Sequence, residues 1–62
     1  VGIQQIAINV EDIQLVIEKL LKNNFRMINS TPNIGSSGNL VAFIHPKSTG
    51  GVLVELVQNQ LQ

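Results

Sequence analysis

Glu55 carries the strongest chemical signal in this chain. It interrupts Val52-Leu53-Val54-Glu55-Leu56-Val57, where every neighbour is apolar and most favour strands. A carboxylate that stays charged and unpaired inside such a strand is strongly destabilising. It must be solvated, paired, protonated or bound to a cation. Two readings stand side by side: a glutamate on an edge strand facing water, and a ligand or base facing a cavity. Gln5 is a weaker candidate, whose amide oxygen suits a hard cation, although most strand glutamines are simply surface residues. His45 precedes Pro46 and reads as a loop histidine capping a strand end, with ligand contact as the alternative. Lys47, Ser48 and Thr49, followed by Gly50-Gly51, form a polar turn that could offer backbone N–H groups to phosphate. That turn lacks P-loop spacing, so its plainer reading is a connection between strands.

Periodicity supplies the elements that must position these residues. From Val1 to Val10 the chain alternates, with Ile6, Ile8 and Val10 on one face and Gln5, Ala7 and Asn9 on the other. Glu11 and Asp12 then place acids where a helix N-terminus favours them. Ile13, Val16, Ile17, Leu20 and Leu21 follow amphipathic spacing. The Asn23-Asn24 pair is a fitting stop, which predicts a helix at about 11–23. A short strand is expected over Phe25–Ser30, a loop over Thr31–Gly38, an apolar strand over Leu40–Ile44, a second loop over His45–Gly51 and a last strand over Val52–Val57. The polar tail from Gln58 should fray. The expected fold class is α+β: residues 1–62 as a single βαβββ module, one helix on a four-stranded mixed sheet. The helix should cover the side with Ile6, Ile8 and Val10. The other side, with Gln5, Asn9 and Glu55, then reads as a cavity wall or partner surface.

Composition narrows what such a module can be. Sixty-two residues make one small domain with a marginal core, which usually needs a disulfide, a metal or a partner. There is no cysteine and one histidine, so neither disulfides nor a thiolate zinc site is available. A partner chain or further module remains. Four basic and four acidic residues give zero net charge, with two Phe and no Tyr or Trp. Nucleic-acid binding, which calls for a basic patch, is not expected. Apolar runs are too short for a membrane span and no secretory signal is evident. A soluble, cytoplasmic protein is therefore expected. The start at Val1 rather than Met suggests processing or excision from a longer sequence.

The run Val41-Ala-Phe-Ile-His-Pro-Lys-Ser-Thr-Gly-Gly-Val-Leu-Val-Glu-Leu-Val57 closely resembles the C-terminal end of methylmalonyl-CoA epimerases, members of the glyoxalase/bleomycin-resistance, or vicinal oxygen chelate, superfamily. Gly2-Ile3, the strand Ile6-Ala7-Ile8-Asn9-Val10, the helix-opening Asp12-Ile13 and the Pro32…Gly35…Gly38 loop extend the match along the chain. The resemblance implies a fold in which two βαβββ modules enclose a cleft holding a divalent metal of the cobalt, manganese, nickel or zinc class. This chain matches the second module only. It implies that Glu55 is both a metal ligand and an acid/base for the α-proton of an acyl-CoA thioester. Gln5 falls where the family has a metal-ligand histidine: the family reads Gly-x-His-His-Ile, this chain Gly2-Ile3-Gln4-Gln5-Ile6. Gly35-Ser36-Ser37-Gly38 likewise departs from the family's Gly-Ala-His-Gly. Lys47, Ser48 and Thr49 are the substrate-binding candidates.

Three readings follow. The first is the C-terminal half of a metal-dependent epimerase, which removes and returns the proton alpha to a thioester carbonyl and needs a second module. The second is a standalone module that homodimerises, so that two copies of Gln5 and Glu55 meet. The third is a degenerate module that binds a small molecule or partner without catalysis.

Overall fold

A computed structural model describes residues 4–35 and 37–60. The part of the first strand read over Val1–Ile3, like Ser36 and the end of the tail at Leu61 and Gln62, lies outside the described residues. The elements in chain order are β1 (Gln4–Asn9), α1 (Ile13–Lys22), β2 (Asn33–Ile34), β3 (Leu40–Ile44), a 3-10 turn (Pro46–Ser48) and β4 (Val52–Gln58). They form one helix on a four-stranded mixed sheet of order β1-β4-β3-β2.

The helix begins and ends where its flanking residues dictate. Asp12 is the N-cap, its Oδ1 accepting from the Leu15 N–H at 3.1 Å, which satisfies one of the orphan donors of the first turn. The Ile13 N–H donates to Gln58 Oε1 at 2.8 Å. The end of β4 is thereby fastened to the start of α1, so Gln58 belongs to the strand and not to a fraying tail. At the other end Asn24 takes a left-handed φ of 67°. The Phe25 N–H then reaches the Leu20 carbonyl at 3.0 Å and the Asn24 N–H the Leu21 carbonyl at 3.1 Å, the paired bonds of a Schellman motif.

β1 runs parallel to β4, Gln4 opposite Val52 through Asn9 opposite Val57. β3 pairs antiparallel with β4 and also with β2. The core is small: Ile13 and Ile17 from the helix meet Ala42 and Ile44 of β3 and Val54 and Leu56 of β4. Burying each of the isoleucines contributes on the order of 1.5–3 kcal/mol. Leu21, expected on the buried stripe, is 45% exposed. It sits about 80° around the helix from Ile13, past the margin of the sheet contact.

Two expectations about the sheet are corrected. Phe25–Ser30 is not a regular strand; it makes one bridge, Met27 to Ile44, and the second strand is instead Asn33–Ile34, inside the expected loop. The cause is Asn29. The backbone bonds Ile28 N–H to the Phe43 carbonyl and His45 N–H to the Arg26 carbonyl begin a ladder along β3. At Asn29 the side chain takes over: Oδ1 accepts from the Phe43 N–H at 2.8 Å, and Nδ2 donates to the carbonyls of Thr31 and Val41. The main chain leaves β3 there and rejoins it at Asn33, opposite Val41. The second correction concerns helix coverage. Register puts Ile6 and Ile8 on the core side with Val54 and Leu56, yet they are 50% and 44% exposed. The helix lies over β3 and β4 and leaves β1 largely uncovered. Among the described residues, no helix is long and apolar enough to cross a membrane.

Candidate functional site

The face of the sheet away from α1 collects the residues singled out above. Alternation along β4 sends Val54 and Leu56 into the core and turns Leu53, Glu55 and Val57 the other way. Residues paired across a sheet share a face. Glu55, opposite Ala7 on β1 and Phe43 on β3, therefore shares this open face with both. Gln5 lies on it too, opposite Leu53, one diagonal step from Glu55. Asn9, opposite Val57, extends the polar row of β1. The molecule is only 15 Å across its shortest axis, a single layer of helix on a single layer of sheet, and none of the described elements roofs the face.

The sheet order corrects the edge-strand placement in one of the two readings of Glu55. β4 lies between β1 and β3, so Glu55 is on an interior strand and half-buried, not on an edge. Neither Glu55 nor Gln5 has a hydrogen-bond partner among the described residues. Three of the four acids, Glu11, Asp12 and Glu18, belong to the helix or its approach, and Glu55 alone stands on a strand. The four basic residues, Lys19, Lys22, Arg26 and Lys47, all lie off the strands. The open face thus carries one carboxylate among amides and apolar groups, with no strand-borne cation beside it. Among the described residues no group of three or more His, Cys, Asp or Glu is placed to hold a metal ion. What the face offers is one carboxylate beside side-chain amides.

The turn after β3 has its own order. His45 caps the 3-10 turn, its Nδ1 accepting from the Lys47 N–H at 3.0 Å. Capping the end of β3 is the role its position before Pro46 suggests. Ser48 Oγ accepts from the Arg26 N–H at 2.7 Å. Thr49 Oγ1 bonds the carbonyls of Pro46 and Val52. Both hydroxyls thus hold the turn together, while Lys47 is exposed. Gly50 and Gly51 have φ of 71° and 96°, the left-handed region that glycine enters without strain. The turn joins Ile44 to Val52, which pairs with Gln4. It therefore stands at the Gln5 end of the open face, about 10 Å along β4 from Glu55 at strand rise. A shallow cavity of about 260 Å³, lined by Leu15, Glu18, Lys19 and Lys22, lies on the helix instead and takes in none of these groups. Asn29 is not among the residues that the sequence pattern singles out; an Asn inside an expected strand is the signal for the break there.

No protein-family model matches the chain. It is similar to the mitochondrial methylmalonyl-CoA epimerase of Dictyostelium discoideum, 51% identical over 55 residues, which is 89% of this chain and 33% of that protein. Among solved structures it superposes on a methylmalonyl-CoA epimerase from Mycobacterium tuberculosis with a TM-score of 0.87 and 38% identity, over 97% of this chain and 40% of that one. A methylmalonyl-CoA epimerase in complex with methylmalonyl-CoA and ammonium matches with a TM-score of 0.86 and 32% identity, over 92% of this chain and 40% of that one. The chain thus spans about a third of the length of the curated relative it matches, and its single helix on a mixed sheet is the fold shared with these structures.

Proposed function

We infer, from the homology of this chain with methylmalonyl-CoA epimerases over most of its length, that it forms one βαβββ module of an acyl-CoA epimerase. The observation that carries this reading is the placement of Glu55: half-buried on an interior strand, with no partner among the described residues, on the open face of the sheet.

The chemistry fits a carboxylate so placed. Epimerisation requires a proton to leave the carbon alpha to the thioester and return on its other face. Glu55 is the acid/base on one face. A group outside this chain's described residues serves the other face, because no second acid stands on a strand. Phe43 and Val57 flank the carboxylate with apolar surface, and closure of the face by a second module would exclude water and strengthen local electrostatics. A divalent metal bound by Glu55 and Gln5 would act as a Lewis acid on the developing enolate oxygen. The donor chemistry fits such an ion, since both groups present oxygens with no competing hydrogen bond among the described residues. The lack of a strand-borne cation leaves the negative charge of the enolate to be met by that ion or by the second module. Lys47, exposed at the end of the face, would meet the polar part of a CoA ester, with Ser48 and Thr49 holding the turn that carries it.

The second module covers β1. Every residue from Gln4 to Asn9 is exposed, β1 is the edge of the sheet with no outer partner among the described residues, and Ile6 and Ile8 are half-covered. Because 55 matched residues make up 33% of the Dictyostelium relative, that protein is long enough to hold a second such module in the same chain. This favours a partner in cis over a homodimer.

The test is Glu55→Gln in the full gene product, followed by NMR of α-proton exchange from methylmalonyl-CoA in deuterated water. Loss of exchange by about a hundredfold or more is expected for removal of a general acid/base. Wild-type exchange in the variant would refute the assignment.

A further inference from the structure

The donors that this module brings to its open face are all oxygens, and this sets which ions it favours. We propose that Gln5 and Glu55 form a half-site selective for a hard divalent cation of the manganese or magnesium class, and that Gln5 is the residue that turns the site away from zinc-class ions. This rests on the reading of Glu55 as a metal ligand.

Register brings Gln5 beside Glu55, with Asn9 one diagonal step away on the other side. Gln5 and Glu55 stand on adjacent parallel strands, on the same face, one diagonal step apart. Ala7, directly beside Glu55 and two residues along from Gln5 on the same face, contributes only a methyl group. Both side chains lack a hydrogen-bond partner among the described residues, so neither oxygen need give up a bond to ligate. Asn9 continues the same row with a further amide.

Nitrogen and sulfur are excluded from this half of the site. The chain has no cysteine and one histidine. That histidine, His45, stands in the turn after β3, and its Nδ1 lone pair is already used by the Lys47 N–H at 3.0 Å. In the neutral ring the proton then sits on Nε2, leaving no lone pair for a metal. Carboxylate and amide oxygens suit magnesium, calcium and manganese, whereas imidazole suits zinc, copper and nickel. Replacing an imidazole by an amide oxygen costs cobalt and zinc more affinity than it costs manganese, because the later ions draw more of their binding from nitrogen.

The test uses the full gene product stripped of metal with a chelator. Affinities for Mn²⁺, Mg²⁺, Co²⁺ and Zn²⁺, each added alone, are read by competition with a fluorescent chelator for the wild type, Gln5→His, Gln5→Glu and Glu55→Gln. Gln5→His is expected to raise Co²⁺ and Zn²⁺ affinity by about tenfold or more while Mn²⁺ moves by less than about threefold. The visible spectrum of the cobalt form should shift as a nitrogen ligand joins. Gln5→Glu keeps an oxygen donor and should strengthen Mn²⁺ and Mg²⁺ binding. Gln5 is exposed, so both variants should fold, which circular dichroism checks. A Co²⁺-to-Mn²⁺ ratio unmoved by Gln5→His, with binding still lost in Glu55→Gln, overturns this proposal and leaves the epimerase reading intact. Metal binding indifferent to Glu55→Gln overturns the metal role of Glu55, and this proposal with it. The separate proton-exchange assay then decides whether its acid/base role survives.

Discussion

β4 serves two different surfaces with one run of seven residues. On the helix side Val54 and Leu56 are buried against Ile13 and Ile17. On the opposite side Leu53, Glu55 and Val57 are half-covered and face no layer formed by the described residues. The side-chain period of a strand is two, so a polar residue can be placed on one face without touching the packing of the other. The contrast repeats between strands. β3 and β4 lie under the helix, whereas β1 is exposed along its whole length. One region of the molecule is closed and supplies stability. The other is open, and it holds every residue proposed to act on a substrate or to receive a second module.

The largest expected effect breaks the closed region. Ile17→Ala deletes a side chain with no exposed surface and should cost about 2–5 kcal/mol, measured by urea unfolding of the full gene product. The sharper comparison is Ile8→Ala on β1, on the same side of the sheet but 44% exposed here. If a second module covers β1, this change should cost about 2 kcal/mol there. A cost near zero would mean that β1 is left open to water, and the proposed seam would have to lie elsewhere.

Asn29→Ala comes next, at about 1–3 kcal/mol, since it leaves the Phe43 N–H without an acceptor beside β3. Hydrogen exchange should show the Phe43 amide losing protection. Asp12→Ala should follow at about 1 kcal/mol, from loss of the cap on the Leu15 N–H.

These two residues mark the limit of what was legible in the sequence. Asp12 stands ahead of an apolar stripe, where a cap is expected from local chemistry alone, and Asn24 at the helix stop is legible for the same reason. Asn29 is different. Its carboxamide replaces the rungs of a ladder with β3, 12 and 14 residues along the chain, and no local pattern encodes that pairing. The second strand was therefore expected four residues or more too early. Alternation alone placed Glu55 and Gln5 on one face. The position of β4 inside the sheet was not legible, because strand order depends on which elements meet after the helix crosses over. That order makes Glu55 an interior residue, and the exposure of Ile6 and Ile8 likewise depends on where the helix comes to rest.

The smallest expected effect has the opposite sign. Glu55 is half-buried between apolar neighbours with no partner among the described residues, so its charge contributes no ion pair to the metal-free fold. Glu55→Gln keeps the shape and removes the charge. It should leave stability unchanged or raise it by up to about 1 kcal/mol in metal-free protein, because a partly desolvated, unpaired charge is relieved. With metal added, the wild type should gain stability by mass action and the variant should not. Thermal unfolding with and without Mn²⁺ reads both changes on the same samples. A variant destabilised by several kcal/mol without metal would mean that the carboxylate supports the fold, and the division between a stabilising face and an acting face would not hold at Glu55.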